Sequence, residues 1–184
     1  ALASSETNCK EFLRPYLAEA VASVCGDDVE LCAVCVAKGM EFLNAPYETI
    51  QKVTEDLVRS DGERYCFSKS QEEVDTLLWE AQLKYVFPLV ENYRRYFVKK
   101  YYAFIKAALP INNGYGDQVM VPEEAELGNL MYLVERGGIP VSAEESMELK
   151  RYRKARNELA HMNLLSNEEL CVILKAGKHK TASD

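Results

Sequence analysis

The string Arg156-Asn157-Glu158-Leu159-Ala160-His161 sets a guanidinium, a primary amide and an imidazole within about two helical turns. His161 is one of only two histidines in the chain. Five of the seven residues from Lys150 to Arg156 are basic, although the formal net charge is −7. This set suits a phosphodiester. A guanidinium neutralises its charge, an amide orients it, and an imidazole is the side chain that moves protons near neutral pH. Arg156, Asn157 and His161 are the candidate catalytic residues, and Lys150, Arg153 and Lys154 are the candidates for phosphate capture. An acidic body around such a basic patch would focus a polyanion onto it.

A helix must carry these groups. Ser142-Ala143-Glu144-Glu145 has the spacing of a capping box and predicts a helix from there to about Met162. At about 100° per residue, Tyr152, Ala155, Leu159 and Met162 fall on one core-facing stripe. Arg153, Asn157 and His161 follow one another at intervals of four, so they share a row. His161 lies about 140° from the centre of the core stripe and should face outward. Arg156 is five residues before His161, and their Cα vectors diverge by about 140°. A leaning arginine, a change of helix pitch or a second copy across a symmetric interface would bring the two together, and we favour the second copy.

The rest of the chain is helical in period almost throughout. Apolar spacing predicts helices from about Ser5 to Val24, from Asp28 to Leu43, and from a cap at Asn44 with Pro46 in the first turn through Val58. A capping box at Ser70-Gln71-Glu72-Glu73 opens a long stretch to about Ala108, which Pro88 should kink or split. Asn112-Asn113-Gly114-Tyr115-Gly116 reads as a loop, and Pro122 opens a helix through Glu135. Ser166-Asn167-Glu168-Glu169 is a third capping box, starting a helix through Lys175. No stretch alternates as a strand does. The fold class is all-α, an up-and-down bundle of about six to seven helices with short loops.

The 184 residues are 48% hydrophobic and 28% charged, ordinary for a globular chain with one substantial core. We expect one helical domain over 1–184. No apolar run approaches a membrane span, and no signal-peptide pattern is present. The start at Ala1 without a methionine and the polar tail from Lys175 to Asp184 suggest a piece of something longer. Five of the six cysteines sit among apolar neighbours in helix-like segments and read as small core hydrophobes. Cys32 and Cys35 form a C-x-x-C, but no second pair or histidine pair follows at zinc spacing. Free thiols point to a reducing compartment, hence a cytoplasmic protein. No phosphate loop or dinucleotide fingerprint appears, and no cluster of Asp and Glu has metal-ligand spacing, so no cofactor and no metal is expected.

An arginine followed by a polar residue and, four to six positions on, a histidine, carried near the start of the last helical hairpin of an all-α domain, resembles the HEPN superfamily. Arg156, Asn157 and His161 hold those places, and the string from Arg156 to Leu170 is similar to HEPN motif helices with the turn that follows. The likeness covers about 70–176, with 1–66 expected as N-terminal helices packed on that core. The resemblance implies a bundle that dimerises with motif helices face to face, and in many members a metal-independent endoribonuclease, often of toxin–antitoxin or defence type. Carried over, His161 serves as general base or acid at the RNA 2′-hydroxyl, Arg156 stabilises charge on the scissile phosphate, and Asn157 positions. Some toxins of the family that pair with nucleotidyltransferases have a tyrosine two residues after the histidine; this chain has Asn163. Other members are interaction modules of larger proteins, and that alternative stays open.

Blander readings compete at each position. A histidine ending a helix also interacts favourably with the helix dipole. Lys150 to Arg156 also reads as a solvated face paired with Glu144, Glu145 and Glu148. From Tyr93 to Tyr102, aromatic and basic residues interleave in a way that suits single-stranded RNA. The stronger reading there is a core stripe of Tyr93, Phe97, Tyr101 and Phe104, with Arg94, Arg95, Lys99 and Lys100 outside. Trp79 is expected to pack, and His179 to sit exposed in a lysine-rich tail.

Overall fold

The structure, a computed structural model, describes residues 8–112 and 118–180, with side chains up to 176. Nine α-helices run through the described residues: α1 (Arg14–Cys25), α2 (Val29–Lys38), α3 (Met40–Asn44), α4 (Pro46–Asp56), α5 (Gln71–Lys100), α6 (Tyr102–Ala107), α7 (Leu127–Glu135), α8 (Ala143–Ala160) and α9 (Asn167–Lys180). One antiparallel hairpin of two-residue strands, β1 (Ile111–Asn112) and β2 (Gln118–Val119), is the departure from a chain expected to hold no strand. The class is all-α, a helical bundle. The first residues of the expected Ser5–Val24 helix, most of the Asn112–Gly116 loop and the side chain of His179 lie outside the described residues.

All three capping boxes form. The Ser70 N–H donates to Glu73 at 2.6 Å and the Glu73 N–H to Ser70 at 3.3 Å. Ser142 and Glu145 exchange the same bonds at 3.1 Å each, and Ser166 and Glu169 at 2.9 and 3.3 Å. Each pair satisfies two of the N–H groups that a helix start leaves unbonded. Asn44, expected to cap α4, instead ends α3; the cap position is Ala45, and Pro46 takes the first turn as expected.

The chain divides into two compact units, residues up to 85 together with those from 162 on, and residues 86–161. In the first unit, α1 buries Leu17, Ala20, Val21 and Val24, and Leu31, Cys35, Phe42 and Ile50 from α2 to α4 are buried with them. The helix expected over Asp28–Leu43 breaks at Gly39, whose φ is +56°. A Cβ there would lie 2.9 Å from the Asn8 carbonyl oxygen, which accepts the Met40 N–H at 3.1 Å. Only glycine allows both the positive φ and that approach. The six cysteines are free thiols. Cys25 lies against Cys35 and Cys32, and its hydrogen bond with Cys35, together with burial, pushes its thiol pKa up.

Gln82 is the main buried polar side chain of this unit, 3% exposed. Its oxygen accepts the Leu165 N–H at 2.8 Å, and its nitrogen donates to the Leu165 carbonyl at 3.1 Å and to the Tyr16 hydroxyl at 3.3 Å. That clamp fixes the turn between α8 and α9 onto α5.

In the second unit, α5 passes through Pro88 without a break, so of the expected kink or split the split does not occur. The break comes at Tyr101, where the backbone leaves helical angles. Gly39 and Tyr101 are the two extra breaks that turn the expected helix count into nine. Tyr93, Phe97 and Tyr101 are buried as the stripe requires, but Phe104 is 46% exposed, because the shift at Tyr101 turns Ile105 inward instead. Arg94, expected outside, is half-buried: it pairs with Glu91 at 2.7 Å and donates to the Glu123 and Ala125 carbonyls at 2.7 and 3.1 Å. Helix α7 opens with a reciprocal cap between Glu126 and Asn129 rather than at Pro122, which starts a single 3₁₀ turn. Among the described residues no helix is long and apolar enough to cross a membrane.

Candidate functional site

Helix α8 is anchored along one side by Leu149, Tyr152, Ala155 and Leu159, each 2% exposed or less. Met162, expected in that stripe, is 64% exposed. Its φ is +61°, the left-handed residue that turns the chain away once α8 has ended. His161 is the C-cap; its N–H donates to the Asn157 and Glu158 carbonyls, both at 3.1 Å. Its side chain is exposed, as the helical period predicts. It also occupies the position at which a histidine meets the negative end of the helix dipole.

Lys150, Arg153, Lys154 and Arg156 are exposed on the outer side of α8, and Asn157 is half-buried. A groove of about 760 Å³ runs along α7 and α8. Arg153, Arg156 and Asn157 line its α8 wall; Asn129, Tyr132 and Glu135 line its α7 wall, with Glu124 and Glu126 before them. The structure thus brings Arg153, Arg156 and Asn157 together. Lys150, Lys154 and His161 do not line this groove.

Among the described residues the two guanidiniums in the groove are uncommitted. Among the described residues neither Arg153 nor Arg156 is held in an ion pair or a side-chain hydrogen bond. Of the three acids expected to pair with this face, Glu145 is used elsewhere: it accepts from Lys100 and from the Tyr101 hydroxyl, the latter at 2.9 Å. Lys100 first, then the Ser142 N–H, holds the Glu145 carboxyl down at about 2. The groove therefore has a cationic wall on α8 and an acidic wall on α7. An anion would settle on the first, and a group rich in N–H donors on the second.

The α7 wall was not singled out in the sequence. Tyr132 is 45% exposed, and the Arg136 guanidinium lies 4.7 Å from its ring centroid. The only signal in the sequence is a tyrosine among apolar residues of a short helix, which reads as core. Trp79, expected to pack, is half-buried and borders a separate depression with Asp75, Met162 and Leu164 in the first unit. Among the described residues no group of three His, Cys, Asp or Glu side chains is placed to hold a metal ion.

No model of a known protein family matches the chain, and no curated protein or solved structure is significantly similar to it.

Proposed function

We propose that this chain is a HEPN-like, metal-independent endoribonuclease that works as a homodimer through α8. The observation that carries the reading is the pair of guanidiniums, Arg153 and Arg156, uncommitted among the described residues and lining one open groove with Asn157. His161 stands exposed at the end of the same helix. The RNA 2′-oxygen attacks the adjacent phosphorus; the O2′–P bond forms as the P–O5′ bond breaks. His161 takes the 2′-hydroxyl proton or returns one to the leaving 5′-oxygen, and Arg156 stabilises the charge that grows on the phosphate. Asn157 orients the phosphate, and Arg153, Lys154 and Lys150 capture the strand. The products are a 2′,3′-cyclic phosphate and a 5′-hydroxyl.

His161 lies outside the lining of the groove that holds Arg156, so the two meet when a second copy presents its α8 across a two-fold axis. Six free thiols favour a reducing compartment, and the cytoplasm is the proposed location. Incubation of the purified chain with mixed RNA in EDTA tests the reading. Cyclic-phosphate ends, lost in His161→Ala, support it; intact RNA refutes it.

A second reading draws on Glu124, Glu126 and Glu135, which give the groove both signs of charge. Such a surface suits a protein partner, and the chain would then be an interaction module of a larger assembly. Dimerisation or partner capture with RNA left intact supports that reading.

A further inference from the structure

We propose that Tyr132 and Glu135 form a seat for a guanine base of single-stranded RNA, opposite the phosphate-holding wall of Arg153 and Arg156; this deepens, and rests on, the nuclease reading of the same groove. Tyr132 supplies the platform. Its ring is 45% exposed in the groove, an unusual position for a large aromatic side chain of a nine-residue apolar helix. The Arg136 guanidinium covers one face of the ring, 4.7 Å from its centroid, so a base would stack on the other. A base stacking on a tyrosine beside a cationic strip is the usual way a protein holds one unpaired nucleotide.

Glu135 supplies the choice of base. It follows Tyr132 by three residues, so the two side chains are neighbours on the helix surface. Among the described residues Glu135 makes no ion pair or side-chain hydrogen bond, whereas the Glu126 side chain is occupied by the Asn129 N–H in the α7 cap. A carboxylate offers two acceptor oxygens side by side and no donor. Guanine alone presents two adjacent donors on its Watson–Crick edge, N1–H and N2–H. Adenine and cytosine put an acceptor nitrogen beside their amino group, and uracil flanks its single N–H with two carbonyls. Those lone pairs face the Glu135 oxygens and are repelled. The acidic wall that would repel a phosphate therefore discriminates among bases, while the arginine wall holds the backbone without regard to sequence.

The test uses the whole chain and 2′-O-methylated 12-mers, which bind but cannot be cut: uridine tracts carrying one central guanosine or one central adenosine. The wild type is expected to bind the guanosine 12-mer about tenfold more tightly than the adenosine 12-mer. Glu135→Gln should bring that ratio to about one or below, because the amide loses one of the two contacts to guanine and no longer repels adenine. Tyr132→Leu should weaken both by about tenfold, and Tyr132→Phe should restore them. Far-UV circular dichroism confirms that each variant is folded. A ratio unchanged in Glu135→Gln, or wild-type affinity in Tyr132→Leu, overturns the guanine seat. If the wild type cuts mixed RNA in EDTA but ignores the base, only the seat falls. If it neither binds the 12-mers nor cuts RNA, the nuclease reading falls and takes the seat with it.

Discussion

The Tyr152 ring lies flat against Tyr93, with centroids 4.0 Å apart and planes within 8°. This contact joins α8 to the second half of α5 and sets which face of α8 looks outward. Both rings are 2% exposed, and burial raises both phenol pKa values, that of Tyr152 to about 12. Tyr152→Ala should cost about 3–5 kcal/mol, the usual loss for a buried aromatic ring, read as a lower urea midpoint. Tyr152→Phe keeps the stacked pair and should lose much less.

Gln82 makes a different kind of test. It holds both backbone groups of Leu165, which is 4% exposed and three residues after Met162. Gln82→Leu leaves a buried N–H and a buried carbonyl without partners. The expected loss is about 2 kcal/mol or more, again measured by urea unfolding. An unchanged midpoint would show that water reaches Leu165 once the amide is gone.

Glu145 predicts a pH dependence. Its carboxyl is held at about 2 by Lys100, the Ser142 N–H and Tyr101, against an ordinary value of 4.5. The folded pKa lies below the unfolded one. The stabilisation is therefore complete above about pH 4.5 and is lost as the pH falls from there through about 2. Urea midpoints collected from pH 6 down to pH 2 should fall less steeply for Glu145→Gln than for the wild type. Equal slopes would mean that the Lys100 and Tyr101 contacts do not persist in solution.

His161 separates function from folding. Its side chain is exposed, so His161→Ala should move stability by no more than about 0.5 kcal/mol. Under the proposed mechanism the same variant loses RNA cleavage by about 10²–10⁴-fold, measured on a labelled RNA in EDTA. Arg156→Ala should lose cleavage as well, and Arg156→Lys should recover only part, since an ammonium cannot reproduce the two-pronged guanidinium contact. Full cleavage by His161→Ala would remove this histidine from the chemistry.

Much of the fold was legible because the signals that start helices act within four residues. Ser70, Ser142 and Ser166 announced three helix starts through a glutamate three places on, and all three pairs bond as the spacing predicts. The period of α8 likewise gave its buried side at Tyr152, Ala155 and Leu159 and its outward row at Arg153 and His161. Errors fell where a distant contact overrode local preference. Gly39 breaks a helix because Asn8 comes up against its backbone, and Phe104 faces outward because the chain steps at Tyr101.

The sequence by itself determined an all-α chain and a helix with arginine, asparagine and histidine on its solvent side, since capping and 3.6-residue periodicity are local properties. Only the tertiary structure decided that Arg153, Arg156 and Asn157 share a groove with Tyr132 and Glu135 while His161 stands outside it. Those two groups of residues lie some twenty positions apart on different helices, and nothing but the packing of α7 on α8 brings them face to face.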